Sequence, residues 1–255
     1  MVTTFRYIVL TAVRDRLLIG VAVALVLAAL LGAFLGDATA LEQGQMSLAY
    51  AGFMTRLILA MGLILFVCFH VQRSYDNREI DLMLSRPISR AQFVIIYWLG
   101  FSGVAVLLAL LATVVLPIAA LPQGAGLLLW MISLMLESLL VVAVSLFFAL
   151  TLKSAVASVM ASFGFYLLAR MTGLLVNIAE ADWSILQETT LGAFIGYAVY
   201  VFGFIMPRLD LFGQTWWLNY GMPAELPAGL IVAQAAIYTA LLLAATIFDF
   251  RRRRF

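Results

Sequence analysis

Three ionisable residues, Arg56, Glu137 and Arg170, lie inside long apolar segments of the sequence. A charged side chain near the centre of a bilayer costs on the order of 2.5–3.5 kcal/mol on insertion scales, so each of these residues needs a partner or water if its segment spans a membrane. Counting about 1.5 Å per helical residue from the outer ends of the segments places all three side chains roughly 12–15 Å deep. The similar depths predict that Glu137 pairs with Arg56 or with Arg170.

Two interpretations of these charges follow. They line a translocation path and contact a polar part of a substrate, or they form a structural ion pair that locks the helices together. An enzyme is the least favoured class, because the lone His70 offers no base for a nucleophilic serine, and no catalytic residue is assigned. One cysteine, Cys68, and one histidine exclude a disulfide framework and a His/Cys metal cluster from this chain alone, so both are predicted to be packing residues.

A second group of polar residues lies in the segment 72–91, between two apolar segments. Asn77 is suited to cap a short helix whose first turns hold Glu79 and Asp81, where the helix dipole favours anions. Pro87 ends that helix. This predicted helix contains four apolar residues, which is unusual for part of a loop that faces water: Ile80, Leu82, Met83 and Leu84. Such a segment is typical of a surface that docks on another protein; a connector that packs only on its own bundle is the alternative.

The elements that position these residues must lie in a membrane. The 255 residues are 65% hydrophobic and 11% charged, with a mean hydropathy of +1.10. Soluble domains average about 45–50% apolar and about 25% charged residues. A water-soluble fold of this size could not bury so much apolar surface, so lipid is the expected solvent for most of the chain.

Helices are the expected elements, because lipid offers backbone groups no hydrogen-bond partners and no segment alternates as barrel strands do. The predicted fold class is therefore all-α, a polytopic membrane protein with six transmembrane helices in a single domain over 17–250. Ser85 or Ser89 begins the third helix. The predicted spans are 17–35, 48–71, 92–118, 127–151, 155–178 and 228–248.

Two segments outside these spans, and the first span itself, have further predictions. Residues 1–16 are predicted to form an amphipathic helix at the membrane surface. The apolar segment Leu17–Leu35 is longer than the apolar part of a usual signal peptide, so an uncleaved first span is expected. Residues 184–226 are predicted to form an excursion on the outer face, with a re-entrant or interfacial helix followed by a belt of Trp216, Trp217 and Tyr220 at the headgroup level.

Basic residues set the predicted orientation, since cytoplasmic loops carry an excess of lysine and arginine. With six spans, most of the 15 basic residues fall on one side, which includes the segment 72–91 and the tail Arg251–Arg254. Acidic residues dominate the other loops. Both termini are therefore expected in the cytoplasm.

The stretch from Arg78 to Arg90 resembles the loop after the second span in permeases of the ABC-2 type, which usually shows Arg, Glu and leucines before Pro-Ile-Ser/Thr-Arg. The surface helix, the six spans and the outer excursion are also similar to that family, and the chain looks closest to the branch of the nitrous-oxide-reductase maturation permease. Asp81 departs from the family pattern, because apolar or variable residues are usual there.

This resemblance implies the membrane-spanning subunit of a bacterial inner-membrane exporter that works by alternating access. Separate ATP-binding-cassette subunits would carry ATP and Mg, because this sequence has no phosphate-binding loop of the Gly-x-x-x-x-Gly-Lys-Ser/Thr type. A homodimer is the simplest assembly, and a heterodimer of related permeases is the alternative. Membrane lipids are expected to contact the chain, whereas nucleic acid is not an expected partner. No cofactor is expected to bind this chain. The residues implied to contact the ATPase are Arg78, Glu79, Ile80, Asp81, Leu82, Met83, Leu84, Pro87 and Arg90, with a second contact at Lys153.

Two other classes compete with a transporter permease. One is a subunit whose ATPase-driven motion delivers a mechanical signal rather than a solute. The other is an ion-coupled secondary transporter, which would need carboxylates near the middle of the membrane, and only Glu137 qualifies.

Overall fold

A computed structural model of the chain describes residues 16–37, 43–77, 89–122, 124–181, 194, 197–199, 201, 203, 205–221 and 228–252. This described part is helical and contains no strand. The predicted surface helix over 1–16, except for its last residue, and the segment 78–88 lie outside the described residues, as does much of the predicted outer excursion.

Seven α-helices follow one another in the described part of the chain. In chain order they are α1 (Arg16–Asp37), α2 (Gln43–Asp76), α3 (Arg90–Val115), α4 (Gly124–Thr151), α5 (Ala155–Ala181), α6 (Trp216–Tyr220) and α7 (Ala228–Arg252), with a 3₁₀ turn over Leu116–Ile118 after α3.

Six of these helices, α1 to α5 and α7, are long and apolar enough to cross a membrane. Five of the spans predicted from hydropathy each lie within one of these helices, and the third, 92–118, begins inside α3 and ends with the 3₁₀ turn after it. The predicted all-α architecture with six spans is confirmed at that level. The longest extension is in α2, which runs from Gln43 to Asp76 although the apolar segment covers only 48–71. Polar residues at a helix end continue the backbone hydrogen bonds without adding to hydropathy. The helices therefore extend beyond the apolar segments of the sequence.

The start of α3 shows how the sequence sets a helix boundary. Ser89 is the N-cap: its hydroxyl accepts a hydrogen bond from the Gln92 backbone N–H at 3.2 Å, and the Gln92 side chain accepts one from the Ser89 N–H at 3.1 Å. Together they form a capping box, which satisfies two backbone donors that the first helical turn leaves without partners. Of the two serines predicted to begin this helix, the structure uses Ser89.

Helix α4 is the centre of the bundle, since it packs against α2, α3, α5, α6 and α7. Trp130, Val142 and Leu146 along its length are fully buried. Helices α1 and α2 pack most closely where glycines face side chains. A Cβ placed at Gly32 would lie 2.8 Å from the Cβ of Ala51, and one at Gly62 would overlap Val21. Small residues thus allow the close helix contact that membrane bundles use in place of a hydrophobic driving force.

Antiparallel packing collects the basic residues of the described helices at one end of the bundle. Arg90 at the start of α3 bonds to the last turn of α7. Gly32 near the end of α1 lies against Ala51 near the start of α2. The two helices of each of these pairs therefore run in opposite directions. We call the end that carries the cations the basic end. Its basic residues in the described part are Arg16, Arg73, Arg90, Lys153, Arg251 and Arg252.

Candidate functional site

The three charged residues predicted inside the membrane meet at the centre of the bundle. Arg56 extends from α2, is 1% exposed, and places its guanidinium 2.5 Å from a carboxylate oxygen of Glu137 on α4. Its other terminal nitrogen donates to the Ser133 hydroxyl at 2.6 Å and to the Trp130 carbonyl at 3.4 Å. The guanidinium carbon also lies 5.1 Å from the centre of the Trp130 ring. Helical periodicity explains this, because residues 130, 133 and 137 share one face of α4.

The second oxygen of Glu137 is bound from α5. Arg170 donates to it at 3.0 Å and the Tyr166 hydroxyl donates to it at 3.1 Å. Tyr166 and Arg170 are four residues apart on α5, which places them on the same helix face. Glu137 therefore accepts hydrogen bonds on both carboxylate oxygens, and a single side chain connects α2, α4 and α5.

We call Arg56, Glu137 and Arg170 the charge cluster. The predicted pairing of Glu137 with one arginine is confirmed, and the structure extends it to both. The cluster holds two guanidinium groups for one carboxylate, so it carries an excess positive charge, and the Arg56 Nε has no acceptor among the described residues. Breaking a buried pair by removing one partner costs far more than the pair contributes, because a charge is left without compensation.

Arg170 links the charge cluster to the chain segment before α6. Its side chain is 18% exposed, and the same nitrogen that binds Glu137 approaches the Leu209 carbonyl at 3.5 Å. The Leu209 N–H donates to the Ala169 carbonyl at 3.2 Å. Gly213 lies against the guanidinium so closely that a Cβ there would overlap it. A segment 205–213 thus rests on α5 beside the charge cluster, with Leu209 and Phe212 fully buried.

The described part of the predicted outer excursion corrects one expectation. Trp217 was expected in an aromatic belt at the headgroup level, but it is 2% exposed and packs inside the bundle. Its carbonyl lies where a Cβ of Gly126 would be, so a glycine on α4 admits the short helix α6. The expectation was wrong because aromatic composition alone does not show which rings pack against other helices. Its neighbours Trp216 and Tyr220 are exposed.

Most residues implied to contact an ATPase lie outside the described residues, namely Arg78, Glu79, Ile80, Asp81, Leu82, Met83, Leu84 and Pro87. Lys153 is described and exposed, in the turn between α4 and α5.

Arg90 has an additional role that sequence reasoning missed. It donates to the carbonyls of Phe250 and Arg251, each at 3.0 Å, and so caps the last turn of α7. The partners are 160 and 161 residues away, and no local pattern signals such a contact.

Cys68 is a packing residue, as predicted, and serines at the start of α5 also serve packing. Cys68 is a buried free thiol, 3.9 Å from the hydroxyl of Ser162. Ser158 donates to the carbonyls of Phe148 and Ser154 at 3.1 and 3.0 Å, which draws the start of α5 against α4. Within the ranges that the structure describes, no group of three His, Cys, Asp or Glu side chains could hold a metal ion.

Comparison with known proteins found no match for the chain, either to a protein-family model or to a curated protein.

Proposed function

We propose that this chain is the permease subunit of an ATP-binding-cassette transporter of the ABC-2 type, a bacterial inner-membrane exporter with both termini in the cytoplasm. One observation carries the proposal: the stretch Arg78–Arg90, with its Pro-Ile-Ser-Arg ending, joins α2 and α3 at the basic end of the bundle. A loop of this composition is suited to dock on a separate ATPase.

The basic end supports the orientation. Positive charge is retained on the cytoplasmic side of membrane proteins, and six described cations share that end. The other end holds Arg208, whose charge is paired with Asp210 at 3.2 Å. The loop 78–88 leaves α2 and enters α3 at the basic end, where cytoplasmic ATPase subunits would reach it.

Arg90 supports a coupling role for this region. It follows the Pro-Ile-Ser sequence directly and bonds the last turn of α7. A displacement of the loop would therefore move the ends of α3 and α7 together. Coupling requires a rigid connection of this kind between the segment that is pushed and the helices that respond.

The charge cluster supports a bundle with discrete arrangements. It joins α2, α4 and α5 through Glu137 and reaches the segment 205–213 through Arg170. Buried polar networks tolerate few intermediate geometries, because a half-satisfied network is costly. In an alternating-access cycle we assign the charge cluster to the state in which the bundle is closed at the end opposite the basic end. Arg170 is the member of the cluster nearest to solvent.

ATP and Mg belong to the partner subunits in this proposal, and two copies of this chain would pair with two ATPase chains. Exposed apolar faces support contact with lipid or a second copy: Val156 and Met160 on α5 are 65% and 66% exposed, and Leu241 on α7 is 59% exposed. Such faces are unstable in water and are stable in a bilayer.

Co-purification tests the proposal. The chain is expressed with the ATPase encoded nearest to its gene, solubilised and captured, and ATP hydrolysis is measured. We expect a stable complex whose assembly or stimulated ATPase activity is lost in Glu79→Ala. The matched control is Glu42→Ala, an acidic residue predicted on the other side. If this ATPase does not bind the chain, the proposal is contradicted. If the Glu79→Ala complex is fully active, the role of Glu79 is contradicted.

A mechanical-signal subunit is a second candidate, and the pairing within the charge cluster favours it. Each of the three charged side chains already has a protein partner, so none is reserved for a solute. The two functions separate in proteoliposomes that contain the ATPase complex. Substrate accumulation on the far side of the membrane supports the exporter, whereas ATP hydrolysis with no substrate moved supports the mechanical role.

A further inference from the structure

A groove of about 520 Å³ opens at the basic end, between the start of α1 and the end of α2. Arg16, the first residue of α1, and Arg73, in the last turn of α2, line it together with His70. Both arginines are exposed. Two guanidinium groups from different helices therefore face one cavity, whose volume is within the range of small-ligand sites.

The charge of this groove is predominantly positive. Asp76 is its acidic residue, and the Asp76 carboxylate accepts a hydrogen bond from the Gln72 side chain at 3.3 Å. Guanidinium groups present planar pairs of donors that match phosphate oxygens. Basic pockets between transmembrane helices on the cytoplasmic side are suited to anionic lipid headgroups.

The other wall of the groove is apolar. Leu17 and Phe69 line it beside the arginines, and Phe69 is 45% exposed. Arg16 begins one candidate membrane span, and Arg73 lies near the end of the next. In a membrane, the arginines would lie at the level of the headgroups, and Leu17 and Phe69 would adjoin the first carbons of the acyl chains.

We propose that this groove binds the phosphate of an anionic phospholipid, held by Arg16 and Arg73 and covered on its glycerol side by Leu17 and Phe69. The inference rests on the membrane placement in the proposed function and not on the ATPase partner. Free phosphate would gain from the guanidinium groups but not from the apolar wall, so a lipid is the better match. The bound lipid would tie α1 to α2 close to the start of the segment 78–88.

Native mass spectrometry of the purified full chain tests this inference. Micelles contain either phosphatidylglycerol or phosphatidylcholine with the same acyl chains, and retained lipid is counted per chain. We expect one retained phosphatidylglycerol, at least fivefold above phosphatidylcholine. The double variant Arg16→Gln with Arg73→Gln should lose this preference. The matched control Arg251→Gln, an exposed arginine at the same end, should keep it, and millimolar inorganic phosphate should not displace the lipid.

Asp76→Asn provides a second test that does not depend on folding of the double variant. Removing the acidic charge should raise phosphatidylglycerol retention at least twofold. The inference is overturned if the double variant keeps the preference, if Arg251→Gln loses it equally, if inorganic phosphate displaces the lipid, or if Asp76→Asn gives no gain. Because no ATPase is present, failure of the lipid site is distinguishable from failure of the permease proposal.

Discussion

The guanidinium of Arg56 and the carboxylate of Glu137 are 81 residues apart in the chain and 2.5 Å apart in the bundle. Arg170 approaches the other oxygen of the same carboxylate at 3.0 Å. Glu137 is thus the common partner of two arginines from two different helices, and the stability of the arrangement depends on its negative charge.

Glu137→Gln should lower stability strongly. The substitution leaves Arg56, which is 1% exposed, without its charge partner, and breaking a buried pair costs about 3–5 kcal/mol. Thermal unfolding in neutral detergent should show a large decrease in Tm. The control is Arg208→Gln, which removes the partly exposed pair with Asp210 and should cost about 0–1 kcal/mol.

The same variant separates the two interpretations of the charge cluster. Loss of folded protein supports a structural lock. A folded Glu137→Gln protein with an unchanged Tm and no transport would instead support a role in the translocation path.

Gly62→Ala should destabilise the contact between α1 and α2. A methyl group at position 62 would overlap the side chain of Val21, whereas one at Gly20 would meet nothing within 4 Å. Overpacking a tight contact costs about 1–3 kcal/mol, while Gly→Ala in an open helical position gains up to about 1 kcal/mol. Unfolding midpoints should therefore fall for Gly62→Ala and stay level or rise for Gly20→Ala. Equal effects would contradict the close packing described for Gly62.

Arg90→Ala should loosen the end of α7. The side chain donates to the carbonyls of Phe250 and Arg251, and hydrogen bonds of charged groups contribute about 1.5–3 kcal/mol. Amide hydrogen exchange should speed up in the last turn of α7 and remain unchanged in α1. Arg251→Gln leaves the accepting carbonyl in place, so exchange there should match the wild type. An unaltered α7 in Arg90→Ala would show that the cap is dispensable.

Cysteine labelling should report the orientation. In a Cys68→Ala background, an impermeant maleimide applied to sealed cells should label Tyr220→Cys, since Tyr220 is 68% exposed on α6. It should not label Arg251→Cys at the basic end until the membrane is opened. Labelling of Arg251→Cys from outside intact cells would reverse the proposed orientation and remove the basis for an ATPase at the loop 78–88.

Native Cys68 serves as an internal check of the packing. The thiol is buried and 3.9 Å from the Ser145 carbonyl, so a maleimide should react with it only after unfolding. Rapid labelling of the folded protein would contradict the close contact of α2 with α4 at this level.

Sequence reasoning was most accurate for the spans and least accurate for contacts between them. Five predicted spans each lie within a helix that is long and apolar enough to cross a membrane, and the third runs through α3 into the 3₁₀ turn after it. The membrane depths estimated from the sequence correctly placed Glu137 at the same level as Arg56 and Arg170. They did not show that both arginines bind, because depth fixes the position of a side chain along its helix and not the direction of its face towards a neighbour. The burial of Trp217 was missed for a related reason, since it depends on how α6 packs against α4, where Gly126 leaves room for the Trp217 backbone carbonyl.

The sequence by itself determined the number, length and approximate ends of the apolar helices, the start of α3 at one of two serines, and the excess of cations in particular loops. These are local properties, because each depends on the composition of a few adjacent turns. Only the tertiary structure decided that Glu137 joins three helices, that Arg90 caps α7 and that Arg16 and Arg73 share a groove. These contacts depend on how helices far apart in the chain pack against one another, and that packing is set by the shapes of all their facing side chains together.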